Sequence, residues 1–181
     1  MNLADRRVLG VDHGINHTGW GVVIPSGDGT QLSAVAFGTI ETTPNQPFHL
    51  RLQKIYQELT AVIATYQPQE LAVEKAIYAQ NIKTALMMGH ARGTVLLAAA
   101  NAGLPIFEYS PKKIKSAVVG NGSATKEQVQ FMVKRLLNIN DVPPQSCLGG
   151  TTGESLTLDI SDALAVAICH LNQPRLDEKG H

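Results

Sequence analysis

Two apolar runs, Val8–Val11 and Thr18–Ile24, flank a polar turn near the start of the chain. The second is rich in β-branched and aromatic residues, and Gln31–Ile40 alternates loosely after the turn Pro25-Ser26-Gly27-Asp28-Gly29. Three strands on such short connections predict an antiparallel meander. From Leu50 the period changes: Leu50, Leu52, Ile55, Leu59, Val62, Ile63 and Tyr66 recur at helical spacing after Pro47, and Gln67-Pro68 stops the helix. Glu70–Glu74 reads as a short strand, about 82–101 as a long helix capped by Gly103, and Pro105–Tyr109 as a fifth strand. Ser110 and Pro111 suit the N-cap and first position of a short helix, and Ser123 or Thr125 opens another through Leu137. Residues 138–157, rich in Gly, Pro and Ser, read as a loop, and a last helix runs from about Asp159 to Leu171. With no internal repeat and no long linker, the expectation is one α/β domain over residues 1–173. It has a mixed sheet with helices on both faces and ends in a frayed tail at 174–181.

The chain has 181 residues, 44% apolar and 17% charged, values typical of a globular protein with a sizeable core. No run of 18 apolar residues occurs and Met1–Arg7 is too polar for a signal peptide, so a soluble cytoplasmic protein with no membrane contact is expected. Cys147 and Cys169 lie far apart with no metal-ligand spacing and read as reduced thiols.

A net charge of zero argues at first against a nucleic-acid partner, but it conceals segregation. Residues 75–135 hold nine Lys and Arg against the two acids Glu108 and Glu127, while the flanks hold the other acids. Such a chain binds a polyanion on one surface and offers carboxylates on another, unless the charges are only solvated helix faces.

Three places offer carboxylates. Asp12 follows the run Val8–Val11, as Glu74 closes Leu71-Ala72-Val73. If the two strands are parallel neighbours, both acids lie at the sheet edge where α/β sheets bind ligands. Asp159 and Asp162, three apart at the head of an apolar helix, project from one face. Four acids at one edge repel unless a cation neutralises them, and all-oxygen donors suit Mg2+ or Mn2+. Two such ions can activate a water and stabilise the leaving oxygen of a phosphodiester. The alternative is plain: Asp159-x-x-Asp162 also reads as an N-cap with an acid at N3.

The ordered stretches LGVDHG from Leu9, TGWGVV from Thr18, AVEK from Ala72, AQN from Ala79, GHARG at 89–93 and FEYS from Phe107 make a pattern. With KSAVVG from Lys115, SATKEQVQ from Ser123 and DISDALAVAICH from Asp159, the chain resembles RuvC-type Holliday junction resolvases over nearly its whole length. That resemblance implies an RNase H-like fold with a five-stranded mixed sheet. It implies a homodimer that nicks two strands of a four-way DNA junction symmetrically, leaving 5′-phosphate and 3′-hydroxyl ends. The family's metal-binding acids fall on Asp12, Glu74, Asp159 and Asp162, and its basic residues for DNA binding and cleavage on Lys115 and Lys126. Two Mg2+ ions per subunit (Mn2+ as substitute) and a branch-migration complex of RuvA and RuvB type are the implied cofactors and partners.

Three departures from the family pattern stand out. His13 replaces the usual proline after the first aspartate, where it is a harmless substitution or else tunes a bound water or touches DNA. The aromatic that stacks near the junction centre falls on Ile77, so Tyr78 is the expected stacking residue. The loop at 140–157 is longer than usual. Lys112 and Lys113 join Lys115 and Lys126 as expected phosphate contacts, with a solvated helix face as the alternative. Gly89, Ala91 and Gly93 sit in an apolar helix that is either pure core or half of a self-interface, and the resemblance favours the dimer. Two other classes remain as rivals: a nucleotide-binding ATPase of actin-like or sugar-kinase type, from Asp12-x-Gly14 with Gly19 and Gly21, and a catalytically silent junction-binding module.

Overall fold

A computed structural model of the protein describes residues 6–75, 81–139 and 156–173. The antiparallel meander is present as β1 (Val8–His13), β2 (His17–Pro25) and β3 (Leu32–Glu41). Then follow α1 (Phe48–Tyr66), β4 (Glu70–Glu74), α2 (Ile82–Asn101), β5 (Ile106–Tyr109), α3 (Pro111–Val119), α4 (Lys126–Leu136) and α5 (Leu158–Leu171). The sheet order is β3-β2-β1-β4-β5, with β1 and β4 as parallel neighbours and β4 parallel to β5.

Each strand alternates between two cores. Leu9 and Val11 of β1, with Leu71 and Val73 of β4, face α1 and α2. Val8 and Ala72 face the layer of α3, α4 and α5. On the latter face α5 is buried along almost its whole length, which explains its run of alanines. It lies so close to the sheet that a Cβ on Gly10 would stand 2.0 Å from the Ala163 carbonyl oxygen. At Gly19 a Cβ would stand 2.1 Å from the Asp159 carbonyl oxygen. The two glycines therefore let the helix dock with its first turn over the end of β1.

Local chemistry sets several boundaries. Ser110 caps α3 with Pro111 behind it, and Thr125 forms a capping box with Gln128 at α4. The last helix begins earlier than expected: Thr157, not Asp159, is the N-cap of α5, and its hydroxyl accepts from Ile160 N–H. Asp159 is thereby freed from capping. β1 also continues through Asp12 to His13, because His13 pairs with Thr18 of β2.

Cys169 is a buried free thiol, whose ionisation burial pushes up to about 11. Cys147, residues 140–155 of the long loop, Ile77, Tyr78 and the tail 174–181 lie outside the described residues.

Candidate active site

Strand register brings the first two acids together. Gly10 is level with Ala72 across the parallel pair, so two residues further Asp12 and Glu74 emerge on the α5 face at the carboxyl ends of their strands. Asp159 and Asp162 come from the first turns of α5, whose docking at Gly19 sets them beside the same edge, since Gly19 is the register partner of Asp12.

The electrostatics record this convergence. The Asp12 carboxyl is pushed up to about 7 by burial first, then by Asp162, Glu74 and Asp159, with Lys126 opposing. Glu74 is also raised, by burial and then by Asp162, against the pull of Lys126 and Lys115. Lys126 donates to Asp162 at 2.9 Å, and that bond, together with Asp12 and Asp159, holds the ammonium above its ordinary range despite partial burial. Among the described residues no three His, Cys, Asp or Glu side chains stand close enough to grip an ion. Carboxylates that repel one another, with one tied to a lysine, do not close into a cage by themselves. The donor set is nonetheless all-oxygen, partly buried and rich in negative charge, which fits a hard divalent cation.

The lysines divide. Lys115 and Lys126 act on the acids. Lys113 lies with its Nζ 5.1 Å from the centre of the Tyr109 ring, and Lys112 packs over Gly122 in the connection from α3 to α4. His13 sits on the other face from the acids. It is 6% exposed, is lowered to about 4 by burial and then by Arg92 (Glu108 opposing), and its Nδ1 has no hydrogen-bond partner. Strand alternation turns its ring toward α2, so contact with DNA or with a water among the acids is not its place.

The turn after Asp12 held residues that periodicity alone does not reveal. Arg51, on the apolar stripe of α1, points its guanidinium at the turn: Nε donates to Thr42 Oγ1 (2.9 Å) and Nη2 to the Ile15 carbonyl (3.1 Å) and Asn16 Oδ1 (2.5 Å). The readable signal was a charged residue standing where the helical spacing calls for an apolar one.

Residues 8–170 match the family model described as crossover junction endodeoxyribonuclease RuvC. The chain belongs to the RuvC family. A RuvC crossover junction endodeoxyribonuclease of Magnetococcus marinus is 43% identical over 167 residues, 92% of this chain and 84% of the relative. The Thermus thermophilus RuvC solved in complex with a Holliday junction substrate superposes with a TM-score of 0.77 at 32% identity, covering 91% of this chain and 92% of that one. The yeast mitochondrial Holliday junction resolvase Ydc2, at 15% identity and a TM-score of 0.61, shares the fold, with 92% of this chain and 78% of that one covered. The architecture is thus the RNase H-like one of RuvC enzymes, and the family is one of endodeoxyribonucleases. The ATPase and silent-module readings find no support in these similarities.

Proposed function

We propose that this RuvC-family chain is a metal-dependent endonuclease that resolves four-way DNA junctions by paired, symmetric nicking in recombination and repair. The observation that carries the reading is convergence: strand register and the close docking of α5 at Gly19 bring Asp12, Glu74, Asp159 and Asp162 to one sheet edge bordered by Lys126 and Lys115, where burial and mutual repulsion push Asp12 up to about 7. Asp12, Glu74, Asp159 and Asp162 would hold two Mg2+ ions, with Mn2+ as a substitute. When bound, the ions supply activation of a water and stabilisation of the leaving oxygen.

The chain's own residues do the rest. Asp12 and Glu74 are fixed by strand register, and Asp159 and Asp162 by the first two turns of α5. Their backbone positions are thereby set, so closing on ions takes side-chain rotation and release of Asp162 from Lys126 rather than movement of the fold. Lys126 and Lys115 supply positive charge toward the phosphate, and Lys126 exchanges its bond to Asp162 for one to a phosphate oxygen. Hydrolysis forms a bond from water oxygen to phosphorus and breaks the bond from phosphorus to the 3′ oxygen. That oxygen leaves as a hydroxyl once protonated, and a 5′-phosphate remains. Lys112 and Lys113 contribute sequence-independent backbone attraction further out, and Tyr78 stacks at the junction centre.

Symmetric cutting needs two sites, and α2 offers a surface for a second copy. Ile82, Leu86 and Leu97 are exposed along one side of this helix, and the space beside Gly89 and Gly93 on that side is open. Small residues amid exposed apolar ones let a partner helix approach closely, which supports a homodimer. A branch-migration complex of RuvA and RuvB type is the expected partner, and the cytoplasm the expected location. No helix among the described residues is long and apolar enough to cross a membrane.

The test is cleavage of a synthetic four-way junction against linear duplex, with Mg2+, Mn2+ and no metal. Paired nicks confined to the junction, sealable by ligase and dependent on metal, are expected. Equal cutting of duplex, or cutting without metal, would overturn the reading.

A further inference from the structure

Arg51 is 4% exposed, yet its hydrogen bonds among the described residues run to neutral acceptors, and no carboxylate pairs with it there. A buried cation without an acid is costly, so its presence calls for a reason beyond packing. What it touches is the turn that joins β1 to β2, at the same sheet edge as the four acids. That turn is tied down from several sides. Thr18 Oγ1 donates to the Gly14 carbonyl at 2.6 Å, and Thr42 Oγ1 to the Ile15 carbonyl at 2.5 Å. Thr42 N–H donates to the Asn16 carbonyl at 2.8 Å, and Gly14 N–H returns to the Asp12 carbonyl at 3.2 Å. Every carbonyl from Gly14 to Asn16 therefore faces a donor of the protein itself.

One consequence concerns the exposed residue of the turn. A guanidinium only donates, so the side-chain oxygen of Asn16 must face Arg51, and the amide nitrogen must face away. Asn16 is exposed and four residues beyond Asp12. Its two N–H donors are thus held toward solvent on the turn that leaves β1 just past Asp12, with their orientation fixed by a buried charge that also raises the local positive potential. A fixed pair of donors next to a strand-cleaving edge suits a non-bridging phosphate oxygen.

We propose that Asn16 is a DNA-backbone contact, donating from Nδ2 to one phosphate of the strand laid across the acids, and that Arg51 is the positioning residue that orients its amide. This rests on the junction-cleavage reading. It adds a neutral contact, distinct from the lysines, that places the strand rather than attracting it from a distance.

The experiment replaces single phosphates around the cut with methylphosphonate, one per junction, and measures binding without metal by fluorescence anisotropy. At one position wild type is expected to lose roughly tenfold in affinity, the scale of a hydrogen bond to a charged group. Asn16→Ala should show that loss on the unmodified junction already and lose nothing further at that position. Asn16→Asp should bind more weakly still, because it turns a carboxylate oxygen toward the phosphate. Arg51→Met should lose the same phosphate position as Asn16→Ala. If its melting temperature shows that it does not fold, the two exposed Asn16 variants decide alone. Identical phosphate profiles for wild type and Asn16→Ala would overturn the proposal. A wild type that fails to bind the unmodified junction would instead sink the junction reading itself, so the two failures are distinguishable.

Discussion

β4 carries an acid at each end, Glu70 and Glu74, and the two ends are built on opposite terms. At the amino end of β4, Glu70 takes a hydrogen bond from Arg6 Nε at 2.8 Å and lies 2.9 Å from His170 Nε2, while the Tyr109 hydroxyl stands 2.6 Å from His170 Nδ1. Burial alone would raise Glu70, but the bonds from Arg6 and His170 outweigh it and hold the carboxyl below its usual range. At the carboxyl end, Asp12 and Glu74 are both raised, and a half-exposed lysine is the one bonded cation among the described residues. α5 links the two ends, with Asp159 and Asp162 at its start and His170 in its last turn. One end is satisfied by the protein alone and serves stability. The other is left short of positive charge, the condition under which a protein binds cations and phosphates.

The comparison breaks most visibly through activity. Asp162→Asn should lower junction cleavage in Mg2+ by roughly 10²–10³-fold or more while junction binding persists, a contrast read by single-turnover cleavage beside anisotropy. Cleavage at the normal rate would remove Asp162 from the site. The opposite end should respond in stability. Arg6→Met strands a largely buried Glu70 and should cost about 3 kcal/mol, or about 6–12 °C in melting temperature, with the cleavage rate of the folded fraction unchanged.

Gly19→Ala tests the connection between the ends. A new methyl against the Asp159 backbone must push the start of α5 away, at about 1–3 kcal/mol. Cleavage should fall further than stability accounts for, because Asp159 and Asp162 move with the helix. A variant that melts lower but cuts normally would show that the placement of α5 is not what sets the acids.

Much of this was legible before the structure, for physical reasons. Periodicity and caps located β4 and α2 at their observed bounds and put Pro111 at the start of α3, because those signals are local. The parallel pairing of β1 with β4 stood only as a condition on the acids Asp12 and Glu74, and the observed register meets it. Nonlocal features were hidden. The Arg6–Glu70–His170 network joins residues up to 164 positions apart, and no local pattern announces it. Thr157 as N-cap was missed because Asp159 is itself a good capping residue. The side of the sheet taken by His13 depends on β1 continuing past its apolar run, which the pairing with Thr18 decides. Arg51 was passed over: it interrupts an apolar stripe, but its target lies in a turn 35 residues earlier.

The smallest effect is the most direct probe, because it reads the frustration of the acid edge without cleavage. A carboxyl raised from 3.8 to about 7 binds more protons in the folded state than unfolded, so its burial penalty develops as pH rises through that window and is absent below it. Glu70 works in the reverse sense, supporting the fold above its unfolded value near 4.5 and losing that support as pH falls further. The decisive measurement is the melting temperature of wild type and Asp12→Asn at pH 8 and pH 4, with and without Mg2+. Without metal, the variant should melt a few degrees above wild type at pH 8, the gap should close toward pH 4, and Mg2+ should stabilise wild type alone. A variant that melts below wild type at pH 8, or gains as much from Mg2+, would contradict the claim that this strand end is held in deficit for a cation.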